Sequence, residues 1–235
     1  MTAPAPLVDG PIARTLVLFS LPILASNVLQ SLNASINAAW IGHLLGTKAL
    51  TAAANANTLL FFLLSISFGL TIAATILIGQ SLGAKNYLQT KRVMGTCFLF
   101  FGVVSLVIAV LGFAIAPHIL AAMRTPPDAV PLAAAYLRII FLGVPAIFLF
   151  SFMMMALRGA GDSRTPFIFM LVSAVLDVGL NPLLIKGFGP VPAMGIAGSA
   201  VATTIAQWFA LIALITSKCQ LHGLEAELRQ SCSTP

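Results

Sequence analysis

The chain has 235 residues, of which 59% are hydrophobic and only 8% are charged, against about 25% charged in an ordinary soluble domain. Twelve Lys and Arg stand against six Asp and Glu, a net charge of +6, and the mean hydropathy is +1.03. So few ionised side chains cannot clothe a soluble surface of this size, which excludes a soluble enzyme, a disordered chain and a disulfide scaffold and leaves a membrane protein.

In chain order, residues 1–12 form a short N-terminal segment. The first apolar run then follows, too long for the hydrophobic region of a secretory signal, so it reads as a mature span. No Asp, Glu, Lys or Arg occurs between Arg14 and Lys48, Lys48 and Lys85, Arg92 and Arg124, Arg138 and Arg158, or Lys186 and Lys218. Each gap accommodates one helical crossing, which needs about 20 mostly apolar residues. A further crossing lies between Arg164 and Lys186, interrupted by Asp177 alone. The reading is an all-α polytopic membrane protein, a six-helix bundle over residues 13–217, with spans at roughly 13–38, 50–79, 92–116, 131–157, 165–186 and 195–217. Runs such as LLFFLLSISFGL are continuous rather than alternating, which selects helices over barrel strands. Short loops join them: Gly42 to Lys48, Gly83 to Gln89, Arg124 to Pro131, Gly159 to Arg164 and Gly187 to Ala193. Residues 218–235 read as a cytoplasmic tail, with at most a short helix around Leu221–Leu228.

The cations sit at span ends rather than in one patch, so the net charge describes topology and not nucleic-acid binding. With the N-terminus inside, Arg14, Lys85, Lys91, Arg92, Arg158, Arg164, Lys218 and Arg229 gather on one side; Lys48, Arg124, Lys186 and Arg138 gather on the other. That bias predicts both ends inside, in a multi-pass protein of the inner (plasma) membrane. Cys97, Cys219 and Cys232 have neither metal nor disulfide spacing. His43, His118 and His222 are isolated near span ends, and no Ser–His pair, phosphate loop or metal cluster occurs, so no enzyme, metal or cofactor is expected.

Four spans carry polar stripes. Ser26, Gln30, Asn33 and Asn37 fall within about a 60° sector of the first span. Thr51, Asn55 and Thr58 share a face of the second; Ser173, Asp177 and Asn181 of the fifth; Ser199, Thr203 and Gln207 of the sixth. Singly, such residues serve as hydrogen-bonding glue between helices, at about 0.6 kcal/mol each. Together they suggest one shared hydrated cavity, lined by Gln30, Asn33, Asn55, Thr58, Ser199 and Gln207. Asp177 is the one acid deep in a span. A charged carboxylate there costs at least about 2.5–3.5 kcal/mol and by default marks an ion or proton path; a permanently protonated, structural Asp is the other reading. Asn181 lies one turn away and can bond either form. Arg138, near the outer end, can snorkel. Phe61, Phe62, Phe68, Phe148, Phe150 and Phe152 are candidates for an apolar binding wall, and Pro22, Pro145 and Pro182 for kinks, static or mobile.

Four stretches carry a resemblance to the multidrug and toxic compound extrusion (MATE) family: LFSLPILASNVLQSLNASINAAWIGHLLGTKALTAAANA, ILIGQSLGAKNYLQTKR, LDVGLNPLLIKGFGPVPAMGIAGSAVATTIAQ and, most specific, ALRGAGDSRTPF. Together they cover about residues 11–217 and look like the N-terminal six-helix lobe only. The resemblance implies a two-lobe secondary transporter that exports small amphipathic or cationic compounds against a proton or sodium gradient. It also implies a coupling site at Asn37, Asp177, Asn181 and Thr203. The pattern departs from many members at two points: an amide, Asn37, stands where they have a span-one acid, and the span-five pair runs Asp first and Asn second. One carboxylate therefore remains, enough for one exchangeable proton in this lobe. A second six-helix lobe from a homodimer or a separate chain is the implied partner, besides membrane lipid. The alternative is a non-transporting fragment or an interaction partner of a full-length relative.

Overall fold

A computed structural model of the chain describes residues 12–122, 130–187 and 193–231. Among these the backbone forms six long helices and no strand: α1 (Ile12–Leu45), α2 (Thr47–Gly83), α3 (Tyr87–Ala122), α4 (Val130–Gly159), α5 (Arg164–Lys186) and α6 (Ile196–Ser231). All six are long and apolar enough to cross a membrane. With no water in the hydrocarbon, the backbone must pair within each segment, and a helix alone achieves this without neighbours.

The helices outrun the apolar runs. Helix α3 begins at Tyr87 rather than near residue 92, so Lys91 and Arg92 ride in its first turns, and α6 continues as helix to Ser231. The link expected from Gly42 to Lys48 shrinks to Gly46, whose φ of 82° lies in the left-handed region. Only a residue without Cβ enters that region freely, so the reversal needs one residue. The α2–α3 turn is tied by Ala84 N–H to Gln80 O and Asn86 N–H to Ser81 O, both 2.9 Å, and forces Lys85 to a φ of 55°. Residues 1–11, the whole α3–α4 link (123–129), residues 188–192 of the α5–α6 link and residues 232–235 lie outside the described residues.

Helix α4 is the centre. Its Leu137, Ile140, Phe141, Val144, Phe148 and Phe152 are at most 3% exposed. Because lipid is as apolar as Leu, helices in a bilayer associate through close fit rather than through the hydrophobic effect. The fit here uses missing side chains. A Cβ at Gly112 of α3 would lie 2.1 Å from the Phe141 ring, and one at Gly159 of α4 would lie 2.7 Å from Thr75 of α2. Phe101 and Phe152 stack with centroids 5.1 Å apart. Helix α6 turns a ladder of Gly198, Ala202, Ala206 and Ala210 inward, all buried. Gly198 lies so near Leu184 of α5 that its Cβ would fall 2.4 Å from a carbonyl oxygen. The α5–α6 crossing is locked further by Met194 N–H to Leu184 O at 3.1 Å and Gly195 N–H to Ile185 O at 3.3 Å.

Candidate functional site

The close α5–α6 crossing, with α1 laid across α5, sets the site. Asp177 is 3% exposed and Asn181, one turn on, is fully buried. The carboxylate accepts from three helices. Asn33 Nδ2 donates to Oδ2 at 2.9 Å, and Asn37 Nδ2 donates to the same oxygen at 2.6 Å. Thr203 Oγ1 of α6 donates to Oδ1 at 3.0 Å, as does Asn181 Nδ2 at 3.1 Å. Asn181 Nδ2 also donates to Asn37 Oδ1 at 3.0 Å and to the Asp177 backbone carbonyl at 2.9 Å. Asp177, Asn37 and Asn181 thus form a closed ring of hydrogen bonds. Its two amide hydrogens leave Asn181 shared among three acceptors.

Two donors on each oxygen fill the roughly four acceptor positions of a carboxylate. Every donor is neutral. Hydrogen bonds supply the polar contacts the carboxylate lost on leaving water, and no neighbouring cation among these partners cancels its charge. At the same time, Asn33 Oδ1 and Asn181 Oδ1 are buried with no hydrogen-bond partner among the described residues. An orphaned buried acceptor costs about 1–3 kcal/mol. The cluster therefore holds spare carbonyl oxygens beside a carboxyl group, a donor set of the hard-oxygen kind that small cations take.

The structure brings together Asn37, Asp177, Asn181 and Thr203, the four residues to which the resemblance carries a coupling site. Asn33, assigned to cavity lining, belongs to the same cluster as a direct donor. The remaining lining candidates disperse. Gln207, one turn on from Thr203, is half-buried with its Oε1 unpartnered among the described residues, and Ser199 is buried at the start of α6. Gln30 and Thr58 stand exposed on the outside of the lobe, and Thr58 Oγ1 returns its proton to Ala54 O at 2.9 Å. Asn55 is half-buried on α2. Three of the four stripes supply side chains to the carboxylate; the α2 stripe does not join it. They meet by direct hydrogen bonds rather than across an open cavity, because the small residues of α6 let the helices close. Tyr136 of α4, 4% exposed and within electrostatic range of Asp177, was not singled out: a lone Tyr in an apolar run has no periodic signal. Phe148, Phe150 and Phe152 are buried in the core while Phe61, Phe62 and Phe68 face outward, so the six form no common wall. Arg138 is exposed, over the Phe113 ring at 5.5 Å.

The MatE family model matches residues 22–183. The chain is 41% identical over 192 residues to the probable multidrug resistance protein YoeA of Bacillus subtilis (strain 168), covering 82% of this chain and 42% of that protein. It is 28% identical over 208 residues to an FAD transporter of Shewanella oneidensis, covering 88% and 46%. Among solved structures, a mutant of the Vibrio cholerae MATE transporter VcmN superposes with a TM-score of 0.81 at 24% identity, covering 88% of this chain and 46% of that one. The chain spans about half the length of the curated relatives it matches.

Proposed function

This chain belongs to the MATE family, and from that premise we propose that it is the N-terminal half of a two-lobe secondary transporter. It exports small amphipathic or cationic compounds by proton- or sodium-coupled antiport, and Asp177 carries the coupling charge. The observation that supports this most is the buried carboxylate gripped by neutral donors from three helices, with unspent amide oxygens beside it. One proton, or one sodium ion taken by the carboxylate with Thr203 Oγ1 and turned amide oxygens, neutralises the one charge in this lobe. Either event weakens the bonds from Asn33 and Asn37 to Asp177 by taking away the charge that strengthens them, and α1 is the helix those bonds hold.

A second lobe is supported by a different face. Asn27, Gln30, Ser31 and Ser35 of α1, and Thr51, Asn57, Thr58 and Ser65 of α2, are all exposed on the lobe surface. Amides and hydroxyls at membrane depth belong against protein or water, not acyl chains. A facing bundle across a wet cleft gives them that setting, and the cleft is where a rocking pair of bundles would hold substrate. The positive-inside bias supports N-in, C-in insertion in the inner membrane.

Gradient-driven efflux from vesicles tests the reading. Wild-type chain with its second lobe should export ethidium-like cations under an imposed pH or sodium jump, with flavin nucleotide assayed alongside because one relative is an FAD transporter. Asp177→Asn should reach the membrane in equal amount and lose the gradient dependence. Undiminished, gradient-driven export by that variant would remove Asp177 from the coupling role.

A further inference from the structure

Far from Asp177, at the end of the bundle where α2 and α4 finish, Arg158 occupies the last turn of α4. It is half-buried, yet its guanidinium is almost unused. Nε is buried with no hydrogen-bond partner among the described residues. Its one hydrogen bond among the described residues runs from Nη1 to the Met155 sulfur at 3.8 Å, and a thioether is a weak acceptor. A guanidinium presents five N–H donors in a rigid fork and stays charged, so leaving it half out of water without an acceptor is unfavourable. Neighbouring Asp162 gives one carboxylate oxygen to Thr165 N–H at 3.0 Å.

Met155 links this cation to a second feature. It closes one end of a shallow groove between α2 and α4, lined by Leu64, Ser67, Phe68, Thr71, Ser151 and Met155. The groove follows α4 from Ser151 to Met155, four residues or about 6 Å, and Met155 carries the contact on to Arg158. Leu64, Phe68 and Met155 supply its apolar wall, and of its three hydroxyl residues Thr71 returns its proton to Ser67 O at 2.9 Å. Beyond Met155 the two helices close tightly, with Gly159 against Thr75 and Gly79. The groove thus ends at Met155, whose sulfur meets a guanidinium with no oxygen acceptor among the described residues, on the side where Lys85, Lys91, Arg92 and Arg164 are also exposed.

We propose that Arg158 and this groove form a binding site for an anionic phospholipid of the adjoining leaflet, its phosphate on the guanidinium and one acyl chain along Leu64, Phe68 and Met155. Phosphate offers the paired acceptors that the Arg fork fits bidentately. The charge selects an anionic headgroup over a zwitterionic one, and the groove selects a lipid over a free phosphate.

Native mass spectrometry of the detergent-purified chain with phosphatidylglycerol reads the site directly. The parent should retain one such lipid at collision energies that strip phosphatidylcholine. Arg158→Gln should lose that adduct, while Arg164→Gln, at an exposed neighbour, should keep it. Met155→Phe leaves the guanidinium in place and blocks the groove, so it should also lose the adduct; it decides the matter if Arg158→Gln fails to fold. Glycerol 3-phosphate, the headgroup chemistry without a chain, should not displace the lipid. Equal retention by Arg158→Gln or by Met155→Phe, or displacement by glycerol 3-phosphate, would overturn the proposal.

Discussion

Helices α4 and α1 are both long, apolar and interrupted by a proline, yet they are held in opposite ways. Over its most apolar stretch, 56% of α4 is buried inside the lobe; for α1 the figure is 6%. Helix α4 is fixed by shape: the Phe141 ring over Gly112, Thr204 against Gly143, Thr75 against Gly159. Helix α1 touches the bundle along a narrow edge, and its strongest bonds are the two amides it extends to Asp177. In a solvent of hydrocarbon, apolar area does not tell a helix whether to face a neighbour or the lipid; steric fit and polar pairing do. Shape-held helices are permanent parts, whereas a helix held by bonds to one ionisable group depends on the state of that group.

That contrast makes graded predictions. The largest effect is expected where backbone meets backbone. Gly198→Ala drives a Cβ to 2.4 Å from the Leu184 carbonyl, which has no side-chain freedom to yield. A loss of about 3 kcal/mol, the upper range for overpacking, should appear as early thermal unfolding in detergent. Gly112→Ala should lose about 1–3 kcal/mol by the same assay, and Phe141→Leu in the same chain should restore part of it, because the obstruction is a ring. If the double variant is no more stable than Gly112→Ala alone, fit is not what holds α4.

For α1 the prediction is local. Asn37→Ala removes a donor to Asp177 and an acceptor for Asn181, and should weaken the contact by about 1–3 kcal/mol; Asn33→Ala removes a single donor and should do less. Hydrogen exchange should rise along α1 and stay unchanged in α4. Exchange rising equally in both would merge the two classes of helix. Least affected should be Thr58→Val, within about 0.5 kcal/mol, since that hydroxyl is exposed and bonds its own helix. Lys85→Gly, which relieves a left-handed backbone in the α2–α3 turn, should stabilise the protein by about 1 kcal/mol.

The number of spans was legible because ionised groups are so costly in hydrocarbon that their positions mark the edges. Helix ends were not, because a helix has no reason to stop at the lipid boundary: Lys91 and Arg92 simply extend α3 into the polar zone. Asp177 announced itself by its charge, and the resemblance supplied Asn37 and Thr203 as its partners. Which stripes reach it was hidden. Ser26, Thr51 and Thr58 have helical spacing, but each donates to a carbonyl four residues back, so periodicity counted them with residues that bond across helices. Tyr136 and the Gly112–Phe141 fit were invisible for a related reason: both depend on how helices cross, which no single helix encodes.

The arithmetic at Asn181 carries a consequence of its own. Three acceptors, Asn37 Oδ1, Asp177 Oδ1 and the Asp177 backbone carbonyl, share two hydrogens, so one of the three contacts is always the weaker. In such a network a hydrogen bond that is already shared can be reassigned without rupturing a fully committed one. Trading partners is then a small rearrangement of one amide, made in the same place where the loosest helix of the lobe is tied down.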